Sequence, residues 1–349
     1  MTTRRTIGVM MALGAAAYAA GRALRARRAI DFAGKTVVIF GGSRGLGLVL
    51  ARQFATEGAT LVLVARDAGE LSRAQADLSD RGASVTFHPC DITDQQQVSS
   101  TIDAIVTAHR TIDVLVNDAG IIEVGPLDHM TIDDFQRAMA THFWGPLTTI
   151  LASLPHMRRS GARRMVNISS IGGKVAMPHL LPYSASKFAL AGLSEGLHAE
   201  LAAEGFVVTT VCPGLMRTGS TYNARFKGQH RREFAWFHTA ASLPGFTIGA
   251  ERAARQIVDA CRYGDAELII TPAARLGVIA RTLAPQTVAR LMSLTNRLLP
   301  SATGNGGVDS RSGWQSVSRH VPSTLTSLSD RASMLNNELP PGAGAAPVH

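Results

Sequence analysis

Between residues 36 and 270, short apolar runs alternate with stretches of helical spacing. This alternation limits the fold more than any other feature. The runs at 36–40, 60–64, 84–88, 114–116, 164–168, 207–211 and 267–270 read as strands. The stretches 45–57, 68–81, 94–109, 132–158, 182–204 and 250–263 read as helices. The strands are almost continuously apolar instead of alternating, which is the pattern of a parallel sheet covered on both faces. The expectation is an α/β domain: a doubly wound parallel sheet of about seven strands, with helices on both faces, over residues 31–272.

With 349 residues, 46% hydrophobic and 17% charged, the chain can bury a large core. Cys90, Cys212 and Cys261 are far apart and odd in number, which suggests neither a metal site nor a disulfide framework. Of the net charge of +9, six positive charges come from Arg4, Arg5, Arg22, Arg25, Arg27 and Arg28, all before the first acid, leaving +3 for the rest. That asymmetry points to a membrane surface, not to nucleic acid. Residues 7–21 are uncharged and flanked by arginines, so 1–30 reads as a membrane anchor, a cleaved secretory signal beginning with twin arginines, or a soluble helix. The cluster Arg25–Arg28 would keep the following domain on the cytoplasmic side. The expected location is a membrane with that domain facing the cytoplasm; a soluble cytoplasmic protein is the alternative.

Residues 215–249 interrupt the alternation with Tyr222, Phe226, Phe234, Trp236, Phe237 and Phe246 among basic residues. They read as a lid over an apolar ligand or as a surface subdomain with its own small cluster. In 273–300, Leu276, Ile279, Leu283, Val288, Leu291, Leu294 and Leu298 recur at roughly helical spacing with Arg281, Arg290 and Arg297 between them. This segment is either an interfacial basic amphipathic helix or a stripe packed on the domain or on a second subunit. Residues 301–349 are rich in Ser, Thr, Gly, Pro and Asn and are expected to be mostly disordered.

Three patterns carry chemistry. First, the strand at 36–40 runs into Gly41-Gly42-Ser43-Arg44-Gly45-Leu46-Gly47 and then a helix. Glycines there permit a sharp turn and close approach to a pyrophosphate, which the helix N-terminus attracts. Second, Arg66 follows the second strand where an acid would hold a ribose 2′-hydroxyl, and Arg44 lies in the glycine turn. Two guanidiniums suit a 2′-phosphate, favouring NADP(H), with NAD(H) possible. Asp67 could instead pair with Arg66. Asp91-Ile92 after the third strand could accept from an adenine amino group or simply cap the next helix. Third, Tyr183 and Lys187 lie one helical turn apart, and Ser170 follows the fifth strand. A phenol beside an ammonium is a candidate tuned acid or base.

In order and spacing the glycine turn, Asp91, Asn117-Asp118-Ala119-Gly120, Ser170, Tyr183, Lys187 and Pro213-Gly214 resemble the short-chain dehydrogenase/reductases of the classical type, over roughly residues 31–272. The resemblance implies a Rossmann-type fold and hydride transfer between a nicotinamide and a carbonyl or alcohol carbon. Ser170 would polarise the carbonyl, Tyr183 would donate the proton, and Lys187 would lower the phenol pKa and hold the nicotinamide ribose. It further implies cofactor contacts from Gly41, Ser43, Arg44, Gly45, Leu46, Gly47, Arg66, Asp91, Ile92, Asn117, Ala119, Gly120, Pro213, Gly214 and Thr218, besides Tyr183 and Lys187. It also implies a homo-oligomer. Three positions depart from the family pattern. Phe40 replaces a usual Thr, Asp118 a usual Asn, and His142 stands where a helix Asn helps hold a water beside the lysine. A histidine there would titrate near neutrality and add pH dependence.

The expected activity is NADP(H)-dependent interconversion of a hydrophobic ketone or aldehyde and its alcohol. The alternatives are an NAD-dependent alcohol dehydrogenase and a catalytically weak cofactor-binding scaffold. No metal and no nucleic acid are expected.

Overall fold

The computed structural model describes residues 20–243, 246–302, 307–317 and 326–338. The apolar segment at 7–19, and with it the anchor expectation, lies outside them. Residues 20–27 are helical, and Arg25 holds Asp265 through two hydrogen bonds of 2.8 Å. Among the described residues, no helix is long and apolar enough to cross a membrane.

The seven expected strands all form. They are β1 (Thr36–Phe40), β2 (Thr60–Ala65), β3 (Val85–Pro89), β4 (Val114–Asn117), β5 (Arg164–Ile168), β6 (Val207–Pro213) and β7 (Glu267–Ile270). They pair in parallel in the order β3-β2-β1-β4-β5-β6-β7. Helices α1 (Gly45–Thr56), α2 (Ala68–Asp80), α3 (Gln95–His109), α4 (Ile132–Met139), α5 (Gly145–Met157), α6 (Leu181–Leu201), α7 (His230–Ala240) and α8 (Ala250–Tyr263) follow in sequence.

The strand β1 shows why the sheet is sandwiched. Val37 and Ile39 point into one core with Leu50 and Phe54 of α1, Leu71 of α2 and Ile257 of α8. Val38 and Phe40 point into the other with Ile102 of α3, Ile150 of α5 and Met165. A strand buried on both sides must be apolar at every position, as β1 is. The strand order reverses between β1 and β4. Crossovers leave that point in opposite directions and open a crevice at the strands' C-terminal ends.

The helix expected over 132–158 is broken in the middle. Ala140–Trp144 forms a π-helical turn between α4 and α5, with Pro146 just beyond it. The aromatic residues of 215–249 mostly bury one another: Tyr222, Phe226, Phe234 and Phe237 form a third core that includes Trp314 at its edge. Ile122, Met177 and Tyr183 pack against this core, so the insertion adjoins the crevice while its rings serve as its own interior.

Helices α9 (Pro272–Leu283) and α10 (Pro285–Leu298) carry the amphipathic segment. Its apolar stripe does not pack on the domain: Leu283 is 79% and Leu298 81% exposed, and Leu276, Ile279, Leu291 and Leu294 are also exposed. The disorder expected beyond residue 301 is corrected for the described part. Arg311–Ser312 pairs with Arg225–Phe226, and α11 (Ser327–Leu335) docks on the 215–249 insertion through Asp330, which accepts from the Tyr222 hydroxyl. Polar composition hides this because the contacts are tertiary hydrogen bonds, not a local apolar pattern.

Candidate active site

The glycine turn is shaped by close approach. Gly41 has φ of +92°, and a Cβ on it would fall 2.6 Å from the Ala119 nitrogen. A Cβ on Gly47 would fall 2.0 Å from the Gly41 carbonyl oxygen, so α1 can start directly on the turn only with glycine there. Phe40, in place of a threonine hydroxyl, is buried in the core, and backbone bonds tie the turn instead. The Gly41 N–H donates to the Val64 carbonyl (2.7 Å) and the Asp118 N–H to the Phe40 carbonyl (2.9 Å).

At the end of β5, the Ser170 hydroxyl oxygen accepts from the Gly172 N–H at 3.0 Å, which leaves its proton free to donate. Tyr183 lies in the first turn of α6, where Gly172 comes close enough that a Cβ on it would touch the Tyr183 ring at 3.2 Å. Lys187 is buried and donates from Nζ to the Ile168 carbonyl at 2.7 Å. Its Nζ is 5.8 Å from the centre of the Tyr183 ring. The three side chains therefore meet at the C-terminal end of β5.

The electrostatics differ from the expectation that the ammonium lowers the phenol pKa. Burial pushes the Tyr183 phenol above its ordinary value, with a hydrogen bond from Ser170 working the other way. Burial lowers the Lys187 ammonium, partly offset by the charge of Asp118, and raises the Asp118 carboxyl, partly offset by Lys187. Low-dielectric enclosure favours the neutral form of each group.

His142 also departs from expectation. It is fully buried in the π-helical turn. Its Nε2 accepts from the Ile121 N–H at 3.0 Å, so the neutral ring carries its proton on Nδ1, which lies 2.7 Å from Ser186 Oγ. Ser186 Oγ in turn donates a hydrogen bond to the Pro182 carbonyl (2.9 Å). Burial, then the charge of Lys187, holds the imidazole well below its usual pKa. The expected titration near neutrality is thus overturned. The ring stands edge-on to Tyr183, with centroids 5.5 Å apart.

Asn117 is committed to internal bonding. It accepts from Thr149 Oγ1 (2.8 Å) and donates to Asn167 Oδ1 (2.9 Å). Asn167 in turn donates to Ser194 Oγ (3.0 Å), which also receives Thr210 Oγ1 (2.8 Å). This buried chain crosses β4, β5 and β6 and ties α5 and α6 to them. Asn167 and Ser186 were not singled out from the sequence; an Asn inside a buried strand is the one signal that could have marked the first.

Toward the β2 side, Arg66 is exposed, and Asp67 caps α2 by accepting from the Glu70 N–H (2.7 Å) instead of pairing with Arg66. Asp91 accepts from Thr93, while the cap of α3 is Asp94. Arg44 is not free: it pairs with Glu70 at 2.7 Å, which also accepts from Ser43 Oγ (2.9 Å). Ile92 packs under Gly145. Pro213 ends β6, and the Gly214 N–H donates to the Ile270 carbonyl (3.1 Å). Thr218 is buried and donates to Ser220 Oγ (2.9 Å). Leu46 is buried in the core with Leu50 and Phe54, Ala119 lies against Gly41, and Gly120 lies against the His142 ring. Among the described residues no cluster of His, Cys, Asp and Glu could hold a metal ion.

A family model described as short chain dehydrogenase matches residues 35–227. The chain is 37% identical over 203 residues to a dehydrogenase/reductase SDR family protein 7-like of Anopheles gambiae, covering 57% of this chain and 64% of that one. It is 31% identical over 273 residues to a fatty acyl-CoA reductase of Acinetobacter baylyi, covering 77% of this chain and 87% of that one. A crystal structure of a short-chain dehydrogenase from Streptomyces avermitilis superposes with a TM-score of 0.65 at 26% identity, covering 77% of this chain and 99% of the other. On the match over 35–227, and on a relative 31% identical of which the chain covers 87%, the chain belongs to the short-chain dehydrogenase/reductase family, NAD(P)-dependent oxidoreductases acting on CH–OH and C=O groups.

Proposed function

We propose that this chain reduces a hydrophobic ketone or aldehyde with NADP(H), and that residues 31–272 form the catalytic domain. The observation that carries this reading is the convergence of Ser170, Tyr183 and Lys187 at the C-terminal end of β5, close to the point where the strand order reverses. The bound cofactor supplies the hydride. Ser170 donates a hydrogen bond to the carbonyl oxygen and orients it, keeping its own proton. Tyr183, whose buried phenol keeps its proton at neutral pH, donates that proton as the alkoxide develops. Solvent then returns the proton to Tyr183, beside Lys187 held on the Ile168 carbonyl. The balance is one hydride and one proton added across the carbonyl. His142 is a positioning residue here, holding α6 through Ser186.

The residues fit a dinucleotide. The glycine turn admits a close anion at the start of α1, and Arg66 stands exposed beside the end of β2 for a 2′-phosphate. Arg44 would have to exchange Glu70 for that phosphate. A hydrophobic substrate is supported by the apolar lid core against which Tyr183 packs, and by the acyl substrate named for the Acinetobacter relative. A screen of lipophilic ketones and aldehydes for NADPH oxidation tests this; activity confined to small polar carbonyls would reject it.

We also infer contact with an anionic bilayer surface. The exposed stripe of α9 and α10 is interleaved with Arg281, Arg290 and Arg297, and no acid occurs between Glu267 and Asp309. Co-flotation with anionic but not neutral vesicles is expected; loss of flotation only on removing residues 1–30 would reassign the contact. A homo-oligomer is the reading for the exposed apolar residues Trp144, Leu151 and Phe188, checked by sedimentation.

A further inference from the structure

Part of the glycine turn expected to receive the dinucleotide, at Ser43 and Gly45, is already in contact with one distant segment of the same chain. The Gly45 N–H, at the start of α1, donates to the Asn336 carbonyl at 2.9 Å. Asn337 donates from Nδ2 to the carbonyls of Ser43 (2.8 Å) and Glu70 (2.9 Å). The carboxylate of Glu338 lies against Gly45, 3.1 Å from where a Cβ would be, and accepts from the Gly219 N–H at 2.6 Å. Gly219 follows Thr218, so Glu338 bridges the glycine turn and the loop after β6.

The contact is built and not incidental. Glu338 is 5% exposed and Asn336 fully buried. Arg52 of α1 donates to Asn336 Oδ1 (2.8 Å) and to the Leu335 carbonyl (2.9 Å), and Arg73 of α2 donates to Asn337 Oδ1 (2.8 Å). The helix leading to the segment, α11, is latched to the lid. Its Asp330 accepts from the Tyr222 hydroxyl at 2.6 Å and lies 3.1 Å from His238 Nε2.

A carboxylate at a helix N-terminus, over a turn that only glycine allows, is what a bound phosphate group would look like at the same place. The Gly45 N–H, given to the Asn336 carbonyl, cannot also serve a phosphate, and the Glu338 carboxylate fills the space beside it. We propose that residues 327–338 are an intramolecular competitor of the dinucleotide: the docked segment closes the cofactor site, and the cofactor enters as α11 and Glu338 leave. This rests on the dinucleotide reading above. The apparent affinity is then the intrinsic affinity reduced by the fraction of molecules with the segment undocked. Because the competitor is tethered, its effective concentration does not change with dilution.

The test is NADPH binding by fluorescence titration to the full chain, to Glu338→Ala and to the size-preserving Glu338→Gln, with hydrogen–deuterium exchange at 327–338 read in parallel. The expected result is NADPH binding at least about tenfold tighter to Glu338→Ala, and faster exchange at 327–338 of the unaltered chain on NADPH addition. Equal or weaker binding by both variants, or a segment that gains protection with NADPH, would make it a clamp or a bystander and overturn the proposal. If none of the proteins binds NADPH or NADH at millimolar concentration, and exchange at 327–338 never responds, the cofactor reading itself falls and takes this one with it.

Discussion

His142 Nδ1 lies 2.7 Å from Ser186 Oγ, and this contact joins the π-helical turn to the helix that carries Tyr183 and Lys187. The other ring nitrogen accepts the Ile121 N–H. The imidazole therefore works as a neutral, two-ended strut.

Replacing it should be felt in stability. His142→Ala strands the Ile121 N–H in a buried site and opens a small cavity, a loss of about 2–3 kcal/mol in urea unfolding. The pH dependence has a defined sign. The folded state disfavours the protonated ring, so the contribution of His142 is fully present above the unfolded pKa near 6.5 and is lost as pH falls below it. The unaltered chain should show this loss and His142→Asn should not.

The docked segment has its own pH signature. Burial raises the Glu338 carboxyl to about 8, against the pull of the Gly219 N–H and Arg44; Asp118 and Glu70 add negative charge nearby. An acid whose docked pKa exceeds its free value binds a proton on docking, so docking weakens as pH rises from the free value through about 8. The apparent NADPH affinity of the full chain should climb from pH 6 to 8.5, and Glu338→Gln should flatten that climb. Dinucleotide titrations at matched ionic strength read both curves.

Cofactor choice should follow Arg66. Its replacement by Glu sets a carboxylate where a 2′-phosphate would lie and offers an acceptor to a ribose hydroxyl. The ratio of NADH to NADPH dissociation constants should fall by roughly 10- to 100-fold, the size of one or two charge-assisted hydrogen bonds. An unchanged ratio would move the phosphate site elsewhere.

Gly47→Ala should destabilise the fold by about 2–3 kcal/mol, because its Cβ would collide with the Gly41 carbonyl and neither backbone can yield without tilting α1. The lowered urea midpoint should be accompanied by weaker dinucleotide binding.

The sheet was legible because a strand buried on both faces leaves few choices of residue. The run Thr36–Phe40 could not be a surface strand, and its neighbour, the glycine turn, could not be an ordinary loop. The meeting of Tyr183 with Lys187 was legible from helical spacing. What those groups titrate to was not, since it depends on enclosure: Tyr183 is pushed up and His142 far down by burial that no local pattern records. The π-helical turn at Ala140–Trp144 shares its apolar spacing with an ordinary helix and so was hidden. Asn336–Glu338 reads as polar tail because its partners, Ser43, Gly45 and Arg52, stand nearly 300 positions away. Likewise Glu70 claims Arg44 from 26 positions downstream.

The most direct test of the central claim, a buried phenol as proton donor, is single-turnover NADPH oxidation by Tyr183→Phe at cofactor saturation confirmed by titration. The account predicts a rate lower by about 10³-fold or more with NADPH binding retained. Oxidation within tenfold of the unaltered chain, at equal cofactor occupancy, would contradict it.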